Sequence, residues 1–328
     1  MKSPLYLPSR CTSALPEDFD KPYLIAEEKM DGARYLLYLG ENVDPYEKQS
    51  LNALLSRRVS VIDAKHVDKT ENIPHIAGFN YEGLEGTVLD GEIKLQGREF
   101  AETNSIMNSS PKLAIEKQKS RGWVTYSVFD IIAFRGKDVR MLPLSKRRKI
   151  LEEVVRRMDN EHVHCIDQIE VGIEKYFQDI VAAGGEGVII KDVRQAYGCG
   201  WAKMKKSYDV STVISGWHPG QGRYKGGVGS VLLSVYHEGE LLEVGRAKPA
   251  DDKMQAEMTE NFEKFRGLVV DVYVQEISKS KRSKSNPVGR FRHCTFFRFR
   301  DDVYAEECTS EKLMADLSAA KVKNRRLR

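Results

Sequence analysis

The chain has 328 residues, of which 41% are hydrophobic, 9% aromatic and 30% charged, a composition that excludes a wholly disordered or a collagen-like protein. Its five cysteines are scattered without a Cys-x-x-Cys pair, which argues against a disulfide framework or a zinc knuckle, and no apolar run approaches the roughly 18 residues of a membrane helix. The excess positive charge of +4 lies in the last third: residues 207–328 hold 21 Lys and Arg against 17 Asp and Glu, and the rest of the chain holds 31 of each.

Strand-like and helical patterns alternate along the first two-thirds of the chain. Apolar runs predict strands at 35–39, 126–134 and 187–191. Ser145 is predicted to be the N-cap of a helix with an apolar face that extends to Met158. A second helix has its apolar positions from Ile173 onward and stops at Gly184. This part therefore predicts mixed α and β structure.

The pattern changes after about residue 208 to short strands. These are predicted at 210–217, 230–236, 241–245, 268–275 and 295–300. A helix over 251–265 interrupts them, with Met254, Met258 and Phe262 facing inward. Five strands and a helix in about this length predict a small barrel of the OB type. We therefore place a domain boundary between 1–206 and 207–328.

The residues that carry chemistry begin with Glu-Glu-Lys-Met-Asp-Gly-Ala-Arg at 27–34. A lysine amine attacks only when it is unprotonated, so a single Lys-x-Asp-Gly is more often a charged surface turn than a nucleophile. Further short motifs follow it in order. They are Ser56-Arg57, Leu-Asp-Gly-Glu at 89–92, Ser-Val-Phe-Asp at 127–130, Glu-Gly-Val-Ile-Ile-Lys at 186–191 and Trp-Ala-Lys-Met-Lys at 201–205.

This ordered set resembles the motifs of the covalent nucleotidyltransferases, which comprise ATP-dependent DNA ligases, RNA ligases and mRNA capping guanylyltransferases. The resemblance implies an α+β nucleotidyltransferase (adenylation) domain over 1–206 and a C-terminal OB-fold β-barrel domain over 207–328. It also implies that Lys29 attacks the α-phosphate of a nucleoside triphosphate and holds the nucleotide as a phosphoramidate. Lys203 and Lys205 would reach the same phosphate from one face of a strand.

Two glutamates match family positions that contact the ribose and hold a catalytic metal. These residues are Glu92 and Glu186, and hard carboxylate oxygens suit Mg²⁺. By the same resemblance, Phe129 stacks on the purine and Glu27 accepts a hydrogen bond from the adenine amino group. A carboxylate at Glu27 repels the keto oxygen of guanine, which favours ATP over GTP and argues against a capping enzyme.

Arginines and lysines in other motifs are candidates for binding phosphate. Arg34 and Arg57 are suited to grip the 5′-phosphate of a nick, and Arg34 also matches a nucleotide-binding position. The acid-free segment 279–292 predicts DNA contacts by Lys281, Arg282 and Lys284.

The residues 297–302, Phe-Arg-Phe-Arg-Asp-Asp, resemble the final motif of DNA ligases, which orients pyrophosphate. We assign Arg298, Arg300 and Asp302 to that motif. The motif usually ends in Asp-Lys, and Val303 stands here in place of the lysine.

Together these observations predict an ATP-dependent DNA ligase that seals 3′-hydroxyl/5′-phosphate nicks in duplex DNA through a lysyl-AMP intermediate, with Mg²⁺. The alternative is an RNA ligase or an mRNA capping guanylyltransferase, which uses the same lysine chemistry. We expect nicked duplex DNA as partner, a monomer without a disulfide partner, no membrane association, and a cytoplasmic location, which is the host cytoplasm if the protein is viral.

Overall fold

The computed structural model describes residues 12–13, 21–40, 51–59, 65–206, 208–278 and 285–319. The chain divides into two compact units, Met1–Met204 and Lys205–Arg328. In the described part of the chain, no helix is both long enough and apolar enough to cross a membrane.

Two sheets and several helices build the first unit. Its strands are β1 (Thr12–Ser13), β2 (Leu24–Glu28), β3 (Ala33–Leu39), β4 (Asn52–Val59), β5 (His66–Asp68), β6 (Val88–Leu95), β7 (Val124–Phe134), β8 (Lys137–Asp138), β9 (Val163–Cys165), β10 (Gly187–Asp192) and β11 (Ala202–Lys205). Its helices are α1 (Pro74–Ala77), α2 (Phe100–Met107), α3 (Pro111–Arg121), α4 (Leu144–Met158) and α5 (Ile173–Ala182).

The larger sheet has the strand order β5-β4-β3-β6-β7-β8, with β9 paired to β7, and the smaller sheet has the order β1-β11-β10-β2. Both faces of the larger sheet are buried. Along β3, Leu37 and Leu39 pack into the main core, whereas Leu36 and Tyr38 pack into a second cluster on the opposite face. This double burial explains why the strand is a continuous apolar run rather than an alternating one.

A closed barrel forms the second unit, in the order β12-β13-β14-β18-β15. Its strands are β12 (Tyr208–Pro219), β13 (Val228–His237), β14 (Glu240–Lys248), β15 (Val269–Val274) and β18 (Cys294–Arg300). A separate ribbon joins β16 (Glu276–Ser278) and β17 (Arg290–Arg292), and the helices are α6 (Asp252–Glu260) and α7 (Ser310–Ala319). The predicted five-stranded barrel is confirmed.

Two helix predictions need correction. The predicted helix over 251–265 is shorter, because Asn261 leaves helical geometry (φ −147°, ψ 80°) and Phe262–Lys264 forms a separate 3₁₀ turn. Ser145 is not an N-cap, because α4 begins at Leu144 after Pro143. The amides of Leu144 and Ser145 donate to the backbone oxygens of Gln195 and Val193, at 3.0 and 2.9 Å. The loop after β10 thus supplies the capping acceptors.

Candidate active site

The pairing of β2 with β10 positions the proposed nucleophile. Val188 lies opposite Glu28 in this antiparallel pair, and the next backbone amide, that of Lys29, donates to the oxygen of Gly187 at 2.9 Å. The register therefore brings Lys29 beside Glu186, which lies 157 positions away in the sequence. The amine of Lys29 donates to Glu186 Oε2, and the two side chains are only 21% and 27% exposed.

Glu92 lies on β6, opposite Arg34 of β3, and its Oε1 accepts a hydrogen bond from the amide of Gly32 at 3.2 Å. A Cβ at Gly32 would lie 2.5 Å from the backbone oxygen of Ile93 and 2.8 Å from Cγ of Glu92. The glycine of the Lys-x-Asp-Gly motif is thus required by close packing. Burial raises the pKa of Glu92 to about 7, although the charges of Lys29 and Arg34 oppose this shift.

Glu92 and Glu186 interact electrostatically with each other, and each interacts with Lys29. Two carboxylates supply hard oxygen donors, which suit Mg²⁺ because this ion keeps several waters and completes its shell with substrate phosphate oxygens. The donor chemistry of the site therefore fits the predicted metal.

Arg34 is held by a buried carboxylate that the sequence analysis did not anticipate. Its Nε and Nη2 donate to the two oxygens of Asp90 at 2.9 and 2.5 Å, and the hydroxyl of Tyr197 also donates to Asp90 at 2.5 Å. The guanidinium carbon lies 5.1 Å from the ring centroid of Phe129. Arg34 is thus part of the wall of the site, and its contact with a phosphate stays a prediction.

Phe129 is half-buried and meets Trp201 edge to face, with ring centroids 5.9 Å apart. Trp201 also meets Tyr197 in this way, at 5.1 Å. An aromatic wall of this kind can accept a flat purine base, but the stacking of a purine on Phe129 stays a prediction.

Glu27 is almost fully buried, with 1% exposure. Its Oε2 lies 2.6 Å from the ammonium of Lys191, and its Oε1 accepts a hydrogen bond from the amide of Gln168 at 2.8 Å. Burial raises the pKa of Glu27, and the charge of Lys191 is the largest effect that opposes this shift.

Lys203 and Lys205 occupy alternate positions of β11 and are both half-buried. Lys203 lies opposite Ser13 of β1. Side chains two residues apart in a strand lie on the same face of the sheet. Lys203 and Lys205 therefore share one face of β11, as the prediction that both reach one phosphate requires. Their contact with the α-phosphate stays a prediction.

The other predicted site residues lie elsewhere in the chain. Arg57 is an exposed residue of β4, and Lys281, Arg282 and Lys284 lie outside the described residues. Arg298 and Arg300 belong to β18 of the barrel, where both donate to Asp271 at 3.0 and 3.2 Å.

Arg300 also makes a bidentate contact with Asp302, at 2.5 and 2.7 Å. These hydrogen bonds lower the pKa of Asp302 to about 2. Asp271 and Asp302 therefore hold the guanidinium of Arg300 in place within the final motif.

Sequence reasoning assigned no role to four residues that shape the site. Asp90 and Lys191 lie inside the quoted motifs 89–92 and 186–191, so their positions carried a signal. Gln168 and Tyr197 lie in irregular segments that follow β9 and β10, where no periodic pattern exists to identify them.

Comparison with known proteins points to one family. Residues 7–207 match the family model described as ATP dependent DNA ligase domain. The chain is 31% identical over 232 residues to a DNA ligase of Nitrosopumilus maritimus, which covers 66% of this chain and 37% of that protein. It is 26% identical over 334 residues to a DNA ligase of Sulfolobus acidocaldarius, covering 88% of this chain and 55% of that protein.

Among solved structures, one from a study of Lig E DNA ligases superposes with a TM-score of 0.64 at 17% identity, covering 90% of this chain and 100% of that chain. This likeness supports the fold, in which an adenylation domain is followed by an OB-fold barrel. The chain spans only 37% and 55% of the lengths of the two curated relatives.

Proposed function

Since this chain belongs to the ATP-dependent DNA ligase family, we propose that it uses ATP to join a 3′-hydroxyl to a 5′-phosphate at a nick in duplex DNA. The observation that carries the proposal is the contact between the amine of Lys29 and Glu186, with the carboxylate of Glu92 beside them. This arrangement holds the amine of Lys29, which is mostly shielded from water, beside two acidic groups.

The first step forms a bond between Nζ of Lys29 and the α-phosphorus of ATP, and it breaks the bond from that phosphorus to the bridging oxygen of pyrophosphate. The amine must lose its proton before attack, and Glu186 is the carboxylate in contact with it that can accept this proton. Lys203 and Lys205 would neutralise charge on the α-phosphate, whose oxygens become more negative as pyrophosphate departs.

In the second step an oxygen of the 5′-phosphate attacks the lysyl-AMP, the phosphorus–nitrogen bond breaks, and AMP becomes joined to the DNA end. In the third step the 3′-hydroxyl attacks the DNA phosphorus and AMP leaves, so that the strand is sealed and Lys29 is free for another cycle. Glu92 and Glu186 would hold Mg²⁺, which would neutralise negative charge on the phosphoryl oxygens.

The proposal includes a division of labour between residues 1–206, as the adenylation domain, and 207–328, as the OB domain that binds DNA. Excess positive charge in the second segment supports a role in binding DNA. We further propose that the protein acts as a monomer in the cytoplasm.

Incubation with α-labelled ATP and Mg²⁺ tests the first step. We expect label on the protein, and we expect none on Lys29→Ala or on Lys29→Arg, which keeps the positive charge but lacks the amine. Persistent label on either variant would refute Lys29 as the nucleophile.

A nicked duplex with DNA on both sides of the break, compared with one that carries RNA at the break, tests the substrate. We expect the DNA nick to be sealed faster, with ATP and not with GTP or NAD. Preferential sealing of RNA strands would overturn the assignment to DNA.

A further inference from the structure

A buried ion pair lies beside Phe129, the residue predicted to stack on the purine, with the ammonium of Lys191 4.9 Å from its ring centroid. Glu27 of β2 and Lys191 of β10 are diagonal neighbours on adjacent antiparallel strands, because Glu27 lies opposite Ile189 and Lys191 lies opposite Ile25. Each residue is 1% exposed. The ammonium also donates to the backbone oxygen of Phe129 at 3.2 Å and lies 4.3 Å from the ring centroid of Trp201.

The other groups that interact with Glu27 in the described residues carry no positive charge, so they cannot balance its carboxylate as the Lys191 ammonium does. Gln168 supplies a neutral donor to Oε1, and the titratable groups Asp130, Cys165 and Tyr176 also interact with the carboxylate. The negative charge of Asp130 is matched by its own partner, Arg147. Without the ammonium, an ionised carboxylate at this depth would be unpaired, and burial favours its neutral, protonated form.

The protonation state of Glu27 decides which base it can accept. An ionised carboxylate only accepts hydrogen bonds, which matches the amino group of adenine, whereas the keto oxygen at the same position of guanine is an acceptor. A protonated carboxyl group has a donor, which matches guanine.

We propose that Lys191 determines nucleotide specificity by keeping Glu27 ionised, so that Glu27 accepts a hydrogen bond from adenine and rejects guanine. Lys191 acts through Glu27 and is therefore a positioning residue. This inference rests on the proposed function, because it requires a nucleotide at Phe129 with its base edge at Glu27.

The test measures covalent labelling by α-labelled ATP and by α-labelled GTP, for the wild type and Lys191→Met, between pH 6 and pH 9. The wild type should prefer ATP by about 100-fold or more at every pH, as expected for a buried hydrogen-bonding site. In Lys191→Met the ATP-to-GTP ratio of rates should fall at least about 10-fold at pH 6 and recover as the pH rises and Glu27 ionises. The attack by Lys29 depends on pH in the same way for both nucleotides, so this dependence drops out of the ratio of their labelling rates.

The double variant Glu27→Gln/Lys191→Met replaces both members of the ion pair by neutral side chains. The same labelling rates are measured on it if Lys191→Met does not fold. Its ratio should be low and independent of pH, because an amide can donate as well as accept. Arg194→Met is the matched control, since Arg194 is 57% exposed and pairs with Asp192. It should keep the wild-type ratio.

An unchanged ratio in folded Lys191→Met, or in the double variant, would overturn the inference. If the ATP-to-GTP ratio in Lys191→Met is reduced by the same factor at every pH, the inference is also overturned. That result indicates a packing effect rather than a change in the ionisation of Glu27. If the wild type takes no label from ATP, the proposed function fails and the inference fails with it. Label from ATP with no change in the variants rejects the inference alone.

Discussion

At Gly32 the site tolerates no side chain, because a Cβ would lie 2.5 Å from the backbone oxygen of Ile93 and 2.8 Å from Cγ of Glu92. We expect Gly32→Ala to push Glu92 away from its contact with the Gly32 amide. The rate of lysyl-AMP formation should then fall by at least about 10-fold, while the overpacking costs about 1–3 kcal/mol of stability. Initial rates of labelling and urea unfolding measure the two effects.

Gly216→Ala provides the matched control in the barrel. The nearest atom to its added Cβ is Cδ1 of Leu232 at 3.1 Å, the end of a flexible side chain that can move. This variant should keep the wild-type labelling rate. Equal rates in Gly32→Ala and the wild type would contradict the argument that close packing at Gly32 holds Glu92 in place.

Single residues of the site differ in how far the sequence could identify them. The motif around Lys29 identifies the amine, and its partner Glu186 comes from another motif that the β2–β10 register brings beside it. The partners of Arg34 could not be paired with it from the sequence, because Asp90 and the hydroxyl of Tyr197 accept hydrogen bonds from it only in the folded chain. A charge in a motif indicates a function, but its ion pairs depend on strand register.

At the level of elements, α4 is joined to β7 by a buried ion pair. Arg147 and Asp130 have fully buried side chains and make two hydrogen bonds, at 2.8 and 2.9 Å. The guanidinium also donates to the backbone oxygens of Leu142 and Gln195. Arg147→Met should leave the carboxylate of Asp130 buried and unpaired, which costs about 3–5 kcal/mol. The free energy of unfolding in urea measures this loss.

Arg156→Met on the same helix is the control, because Arg156 is 70% exposed and pairs with Glu153, which is 50% exposed. Such a surface pair contributes little to stability, so its unfolding curve should overlay that of the wild type. If the two variants were equally stable, the ion pair between α4 and β7 would not stabilise the docking of this helix.

Elements with an apolar pattern were predictable, and those held by polar contacts were not. The strand β7 is rich in apolar residues and packs on both faces, with Val128 and Ile131 in the main core and Ile132 in the second cluster. By contrast, α3 buries only Ala114 and Gln118, so it has no apolar stripe to reveal it. Gln118 donates to the backbone oxygen of Asn72 at 2.8 Å and accepts from the amide of Val124 at 3.3 Å. The contact with Asn72 joins positions that are 46 apart in the sequence, and a periodic pattern does not encode such a contact.

Over the whole molecule, the uneven charge predicts how binding to DNA depends on salt. The second segment, 207–328, carries all of the excess positive charge, and its basic segment Lys281, Arg282 and Lys284 lies in a stretch without acidic residues. Each phosphate contact that releases a counterion adds about 0.9 to the slope of log affinity against log salt concentration. Replacing all three residues by alanine should therefore reduce the magnitude of that slope by about 2–3. Fluorescence anisotropy with a nicked duplex between low and physiological salt measures it.

A control with the same loss of charge separates phosphate contacts from a general effect of net charge. Its three substitutions fall on exposed residues of α3 in the first unit: Lys112→Ala, Lys119→Ala and Arg121→Ala. Net charge acts at long range and is screened in both variants alike, whereas released counterions come only from residues that touch phosphate. The α3 variant should keep the wild-type slope, and equal slopes in all three proteins would mean that the basic segment makes no phosphate contact.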